Sequence, residues 1–518
     1  MKFEVVILGG GFAGAYCARA LARELGGACE QRVALISQEN VLTFQPMLPE
    51  VAGSSLAPVD VVNPLRYFCR GVNVLRGTVR AVDWEKKIVC LDAGRFTPNH
   101  EIGFEHIVLA LGSVVDFNQV PGLSPHGLPM KTVAHALRLR AAVINRLEEA
   151  NLADDPAARR RLLTFVVVGG GYTGVETAGQ LLDFLEGVQP RYGNLRGEKL
   201  RVILVHSRDH LLPEIGPALG TYAQRVLERR GTEVLLNSRI IEVDADEAIL
   251  DNGGRIETHT VISTVGNTAH PAVVDLCHQL GLTLVKGRVP AEPTMRVSSQ
   301  TNLWAAGDCA AIPWEKEMSP PTAQFALRQG EQLGRNIARA LRGEPLQPFK
   351  HSNLGQLATV GRHAAVAEIL GVRFSGFFAW WIWRTIYLAK LPGLSRKLRV
   401  MMDWTLELFF PPDVSLFIPP PEEPLQPMHF RNGEPLFTPQ TPAHGILAVQ
   451  RGSITVSQPG NPARALGPGE MLGPELQDER GRWNCNATAA EPTDILLLRG
   501  AALTFFAHTP RKPAPAGN

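Results

Sequence analysis

The spacing of apolar residues divides the chain into distinct regions. Near the start, "FEVVILGGGFAGAYCARALA" opens on a short apolar run closed by glycines, which predicts a buried strand, and its alanine-rich continuation predicts a helix. "LLTFVVVGGGYTGVETAGQLL" repeats that order 160 residues later, Gly9 to Gly169. "FEHIVLALGSV" (104–114) and "TVISTVGNT" (260–268) predict two strands ending in small residues, and "TNLWAAGDCAAI" (301–312) brings Asp308 to a strand–helix junction. Across 376–410 apolar side chains recur at helical spacing, with Arg384, Lys390, Arg396, Lys397 and Arg399 between them and a break at Pro392-Gly393. That pattern predicts two amphipathic helices. Beyond residue 443, short alternating runs between Gly and Pro predict an all-β region.

Composition narrows the picture. A chain of 518 residues is too long for one core, so about three domains are expected. With 20% charged residues and a net charge of +2, nothing points to a nucleic-acid partner. The seven cysteines (17, 29, 69, 90, 277, 309, 485) include no C-x-x-C pair, so neither a metal site nor a disulfide framework is expected. "MKFEVVILGGG" lacks the charged start, apolar core and cleavage site of a signal peptide, which suggests the cytoplasm or its membrane face. Four of the eight tryptophans (380, 381, 383, 404) fall in 376–410, yet the longest clean apolar run there, Phe377 to Trp383, is seven residues. A span needs about 20. Aromatics interleaved with cations suit helices lying in a membrane surface; a packed helical pair or a dimer interface fits the stretch equally well.

The glycine patterns carry the candidate chemistry. In Gly9-x-Gly11-x-x-Gly14 the first glycine permits a tight turn, the second lets backbone approach a pyrophosphate, and the third allows helix and strand to pack closely. The helix N-terminus then faces the phosphates. Gly169, Gly171 and Gly174 repeat the fingerprint. Both units lack the usual ribose-binding acid: Ser37, with Glu39 two residues on, stands at the first position and His206 at the second. Arg208 either takes a 2′-phosphate, admitting NADPH beside NADH, or is a solvated loop residue. Glu176 is expected in the first turn of the second fingerprint's helix, where the helix dipole alone would favour an acid.

Together these motifs resemble the pyridine nucleotide-dependent flavin reductases over residues 3 to 345. The resemblance implies FAD on the first fingerprint, NAD(P)H on the second, and the Gly307-Asp308 motif on the flavin's ribityl chain. The expected cofactor-binding residues are Gly9, Gly11, Phe12, Ala13, Gly14, Ser37, Val79, Ala110, Gly112, Gly307, Asp308 and Ala323, with Gly169, Gly171, Tyr172, Thr173, Gly174, His206 and Gly266. No cysteine pair supports disulfide or sulfide chemistry. "FQPMLPEVAGSSL" (44–56), "PPTAQFALRQGEQLGRNIARAL" (320–341) and "VMMDWTLELFFPPDV" (400–414) are similar to the type II NADH:quinone dehydrogenases, the single-subunit, non-pumping respiratory enzymes. That family places Glu176 near nicotinamide and flavin, and Ala323, Gln324 and Ala326 beside a quinone tunnel whose mouth lies in lipid. Glu176 and Gln324 are thus the candidate catalytic residues. The family's A-Q-x-A-x-Q pattern departs here at Arg328, with glutamine only at Gln329; Arg328 is expected to pair with an acid or face water.

The implied fold is α/β: two Rossmann-like dinucleotide-binding domains, an amphipathic helical membrane-docking segment and an appended all-β roll. The expected boundaries are 1–118 and 295–345 for FAD, 119–294 for NAD(P)H, 346–418 for docking, 419–443 for a Pro-rich linker and 444–510 for the roll. The roll resembles a cyclic nucleotide-binding domain, but Pro474 and Cys485 stand where its ligand acid and arginine belong, so an interaction or self-association role is expected instead. The expected enzyme is a homodimer on the cytoplasmic face of the cell membrane, reducing a membrane quinone. The rival readings are a soluble reductase for a ferredoxin-like protein and a redox sensor read out through the roll.

Overall fold

The computed structural model describes residues 1–94, 100–298, 300–315, 317–351, 355–416, 425–439, 441, 443, 445–458, 460–476 and 482–498. Two compact units result, Met1–Leu416 and Phe417–Asn518.

The first unit is built on one mixed, mainly parallel sheet and one parallel sheet. In one, Lys2–Leu8 lies between Val33–Ser37 and His100–Leu109, parallel to both. Asn73–Arg76 extends one side, and the antiparallel pair Thr78–Asp83 and Ile88–Asp92 extends the other. The late strand Leu303–Ala305 returns to pair with His100–Leu109. This crossing carries the Gly-Asp turn back to the first fingerprint. In the second sheet Thr164–Val168 lies between Arg201–Val205 and Thr260–Ser263, with Gly127–Pro129 and Glu233–Leu235 at the edges. Val33–Ser37 and Thr164–Val168 are buried at every position. Burial on both faces explains why these strands read as unbroken apolar runs.

Between Gly355 and Ser375 three antiparallel strands form a small sheet that the sequence reading did not anticipate. Two helices follow, Gly376–Lys390 and Leu394–Leu406, separated at the expected Pro-Gly break. Their faces sort the aromatics: Trp380, Trp383 and Trp404 are buried, whereas Phe377, Phe378 and Trp381 are exposed. Leu394, Leu398, Met401 and Met402 are exposed as well. Among the described residues no helix is long and apolar enough to cross a membrane.

The second unit is all-β, with two four-stranded antiparallel sheets around Phe437, Trp483 and Ile454. One expectation needs correction here. Residues 419–443 are not simply a linker, because Leu425–Phe430 and Pro435–Phe437 are strands. Each lies at the edge of its sheet, the place where proline's missing N–H does least harm. Residues 499–510 of the expected roll lie outside the described residues.

Candidate functional site

A cavity of about 600 Å³ gathers residues from distant parts of the sequence of the first unit, from Gly9 to Ala326. Of the expected cofactor residues, Gly9, Gly11, Phe12, Ala13, Ser37, Val79, Ala110, Gly112, Gly307, Asp308 and Ala323 all line it. Gly9 has φ +111°, and a Cβ there would sit 2.1 Å from the Ala110 carbonyl oxygen. A Cβ on Gly14 would lie 1.9 Å from the Gly9 oxygen, so Gly14 packs the helix onto the strand rather than lining the space. Gly11 faces open room. The helix Phe12–Leu25 starts with no side-chain cap and no acid in its first turn. Its free N–H groups therefore aim at the cavity, a ready anion cradle. A group with a pyrophosphate at one end and a flat ring at the other fits this space.

Two further side chains secure the site: Lys131, which the sequence reading missed, and Gln329, which it named without giving it this role. Lys131 lines the cavity and donates to Ser113 Oγ at 2.7 Å and Asn267 Oδ1 at 3.2 Å. Burial holds its ammonium below the usual lysine range, opposed by Asp308. Gln329 is buried, accepts from the Gly307 N–H at 2.8 Å and donates to Ser319 at 2.9 Å. It clamps the Gly-Asp turn onto the long helix Ala323–Leu341. Ala323 opens that helix at the cavity wall. Gln324 does not line the cavity; its amide lies 3.1 Å from His351 Nε2. Burial, with Arg328 and Lys390, pushes the His351 ring down to about 4, so at neutral pH an uncharged ring nitrogen accepts from the Gln324 amide.

The second fingerprint has the same backbone logic. Gly169 has φ +109°, and a Cβ on Gly174 would come 1.7 Å from the Gly169 oxygen. His206 is buried, and its Nδ1 accepts from the Gly170 N–H at 3.1 Å. This imidazole braces the glycine turn. Thr173 is half-buried in the first turn of the helix Tyr172–Val188, and the Tyr172 hydroxyl donates to Gln356. Gly266, at φ +80°, does not line the cavity; its carbonyl accepts from the Asp116 N–H at 2.6 Å.

Glu176 departs from its expected place. It is the fifth residue of its helix, not in the first turn, and it is buried. Its carboxyl accepts from the Thr359 N–H at 3.1 Å. Burial, aided by Glu50, pushes it up to about 8, opposite to what a helix-start acid would show. Glu50 is the acid that sequence reading overlooked. Its Oε1 accepts from the Trp404 indole at 3.1 Å, its Oε2 has no partner, and burial pushes it up to about 8 as well. Both acids are thus protonated at pH 7. The only sequence hint at Glu50 was its place within "FQPMLPEVAG".

Comparison with known proteins agrees with this architecture. The family model described as pyridine nucleotide-disulphide oxidoreductase matches residues 3–330, and that of the NDH2 C-terminal domain matches 353–412. The type II NADH:quinone oxidoreductase Ndh of Mycobacterium tuberculosis is 31% identical over 417 residues, covering 78% of this chain and 88% of that protein. NdhA of the same organism is 32% identical over 420 residues, covering 78% and 86%. The solved structure of NDH2 from Plasmodium falciparum in complex with NADH has a TM-score of 0.73 at 18% identity, covering 80% of this chain and 100% of that one, which shows a shared fold. A glycine cradle, a returning Gly-Asp turn and a matching C-terminal region, joined to relatives above 30% identity, give one conclusion: this chain belongs to the type II NADH:quinone oxidoreductase family.

Proposed function

We propose that the chain passes electrons from NADH through FAD to a membrane quinone while docked at the bilayer surface. The observation that carries this reading is the single cavity joining the first fingerprint, the Gly307-Asp308 turn and the start of the long helix. FAD, when bound, accepts a hydride and gives up two electrons; the protein orients it and controls protons. In this reading the N–H groups of the first fingerprint take the pyrophosphate, Asp308 takes ribityl hydroxyls, and Lys131 holds positive charge beside the ring system. Glu176 keeps a proton at a buried position, and a quinone that receives two electrons takes up two protons to become a quinol. Gln324, oriented by neutral His351, contacts the quinone.

Docking follows from the exposed apolar row Phe377, Phe378, Trp381, Leu394, Leu398 and Met402. Large apolar side chains left exposed on two successive helices suit an interaction site, and for a lipid-confined substrate the bilayer is the natural partner. The cytoplasmic face of the cell membrane and a homodimeric state complete the proposal, with the C-terminal all-β unit as an interaction module. Steady-state kinetics of Gln324→Ala test the core of it. Turnover with a quinone analogue should fall about tenfold, the cost of one buried hydrogen bond, while ferricyanide reduction stays within about twofold. Equal losses with both acceptors would assign Gln324 to the flavin or nicotinamide instead.

A further inference from the structure

The long helix Ala323–Leu341 carries cations that electron transfer leaves unused. Arg328 and Arg335 stand seven residues apart, about two helical turns, and both line a cavity of about 370 Å³ together with Lys350. Phe349 and His351 form part of its wall, and Glu331 is the only carboxylate there. Among the described residues none of the three cations forms an ion pair within 4.0 Å. The next arginines along the chain do: Arg339 with Glu344 at 3.9 Å and Arg342, just past the helix end, with Glu24 at 3.2 Å. The unpaired group is therefore local to Arg328, Arg335 and the nearby Lys350. Lys390, which ends the aromatic helix, adds to the same field, since burial and then Arg328 hold its ammonium below the usual range.

Two further observations say what such a cavity suits. Its His351 wall is also the partner of Gln324, so it backs onto the quinone candidate residue. Lys390, whose charge acts on the His351 ring and feels that of Arg328, ends the first of the helices whose apolar side chains are exposed. Phosphates of a bilayer lie just beyond the level that such side chains reach. A guanidinium offers a forked pair of donors to a phosphate, and a lysine offers a compact charge.

We propose that the cavity of Arg328, Arg335 and Lys350 binds the phosphodiester headgroup of one anionic phospholipid beside the quinone entrance. The site rests on the reading that the two helices dock on a membrane, and it adds a lipid preference to that reading. Arg328, which stands where the family pattern has glutamine, is then a headgroup ligand.

The test is vesicle flotation of the flavin-loaded full chain, on pure phosphatidylcholine and on vesicles with about one third phosphatidylglycerol. The parent should prefer the anionic vesicles. Arg328→Gln/Lys350→Gln should lose that preference by about 25-fold, about fivefold for each cation, and keep its affinity for phosphatidylcholine. The control pair Arg225→Gln/Lys286→Gln, which removes two charges outside the cavity, should lose less than about twofold. An unchanged preference in the cavity variant, or an equal loss in the control, overturns the headgroup site and leaves membrane docking standing. Absence of parent binding to either vesicle overturns the docking reading and this site with it. Stabilisation by inorganic phosphate that depends on Arg328 and Lys350, without any vesicle preference, would reassign the cavity to a soluble phosphate and refute the lipid.

Discussion

Glu50→Gln probes the buried acids directly. Burial pushes Glu50 and Glu176 each up to about 8, whereas in an unfolded chain both titrate near about 4.3. Between those values the folded protein binds up to two protons that the unfolded chain has released. Stability from these groups is therefore full below about pH 4 and is lost as pH rises toward 8. Each acid contributes a slope of about 1.4 kcal/mol per pH unit, so the pair costs about 4 kcal/mol between about pH 6 and 7.5. With an unfolding entropy of about 2.1 cal/mol/K per residue, the unit Met1–Leu416 converts 1 kcal/mol into about 1 °C. The melting temperature of the flavin-loaded parent should then fall by about 4 °C over that range from these groups alone. Glutamine keeps the shape of Glu50 and cannot ionise, so the variant should show about half that fall, or slightly less because the Glu50 charge also raises Glu176. Comparing variant with parent cancels the histidines that burial holds down, His206 and His351, whose effect has the opposite sign. Arg384 and Glu407, the charges that act most on Glu50, are common to both proteins. Melting followed by flavin fluorescence provides the assay. Parallel pH courses for the two proteins would refute the picture of Glu50 as a proton-holding buried acid.

Three further outcomes are expected. Gly174→Ala should abolish NADH reduction of the flavin, because its Cβ would lie 1.7 Å from the Gly169 oxygen; unchanged stopped-flow flavin bleaching would contradict the close helix–strand approach. Phe377→Asp/Trp381→Asp, which alters two exposed side chains, should shift the protein from the membrane to the soluble fraction, whereas Trp380→Asp should destabilise the fold because Trp380 is buried beneath the Arg384 guanidinium. Retention of the double variant on membranes would place the contact elsewhere. Calorimetry of the full chain with cAMP or cGMP should detect no micromolar binding, since Cys485 is a buried thiol within the second unit's core and Pro474 cannot supply the missing acid; measurable heat would restore the nucleotide-binding reading.

The parts legible in the sequence are those governed by neighbours along the chain. Glycine at 9 and 169 answers a positive φ, and glycine at 14 and 174 answers contact with an oxygen five residues earlier, so both fingerprints show in a window of a dozen residues. The buried parallel strands show as apolar runs because both faces are covered. The Pro-rich stretch misled because composition reports the missing N–H but not whether a strand sits at an edge, where that loss is tolerated.

What only the tertiary structure decided is which of these pieces meet, and what each meeting does to a side chain's chemistry. Nothing along the chain marks Glu50, in a short five-residue helix, but Trp404, 354 residues away, donates its indole N–H to it in the folded protein. Desolvation then makes it a neutral acid at pH 7. Gln329 and Arg328 are adjacent in sequence, yet helical rotation of about 100° per residue turns the amide onto Gly307 and the guanidinium into the basic cavity. The same rotation separates buried Trp380 from exposed Trp381. Local spacing determined the two nucleotide folds and the helical character of the aromatic segment. Burial, charge state and the facing of each side chain depend on distant partners, and those came from the packed chain alone.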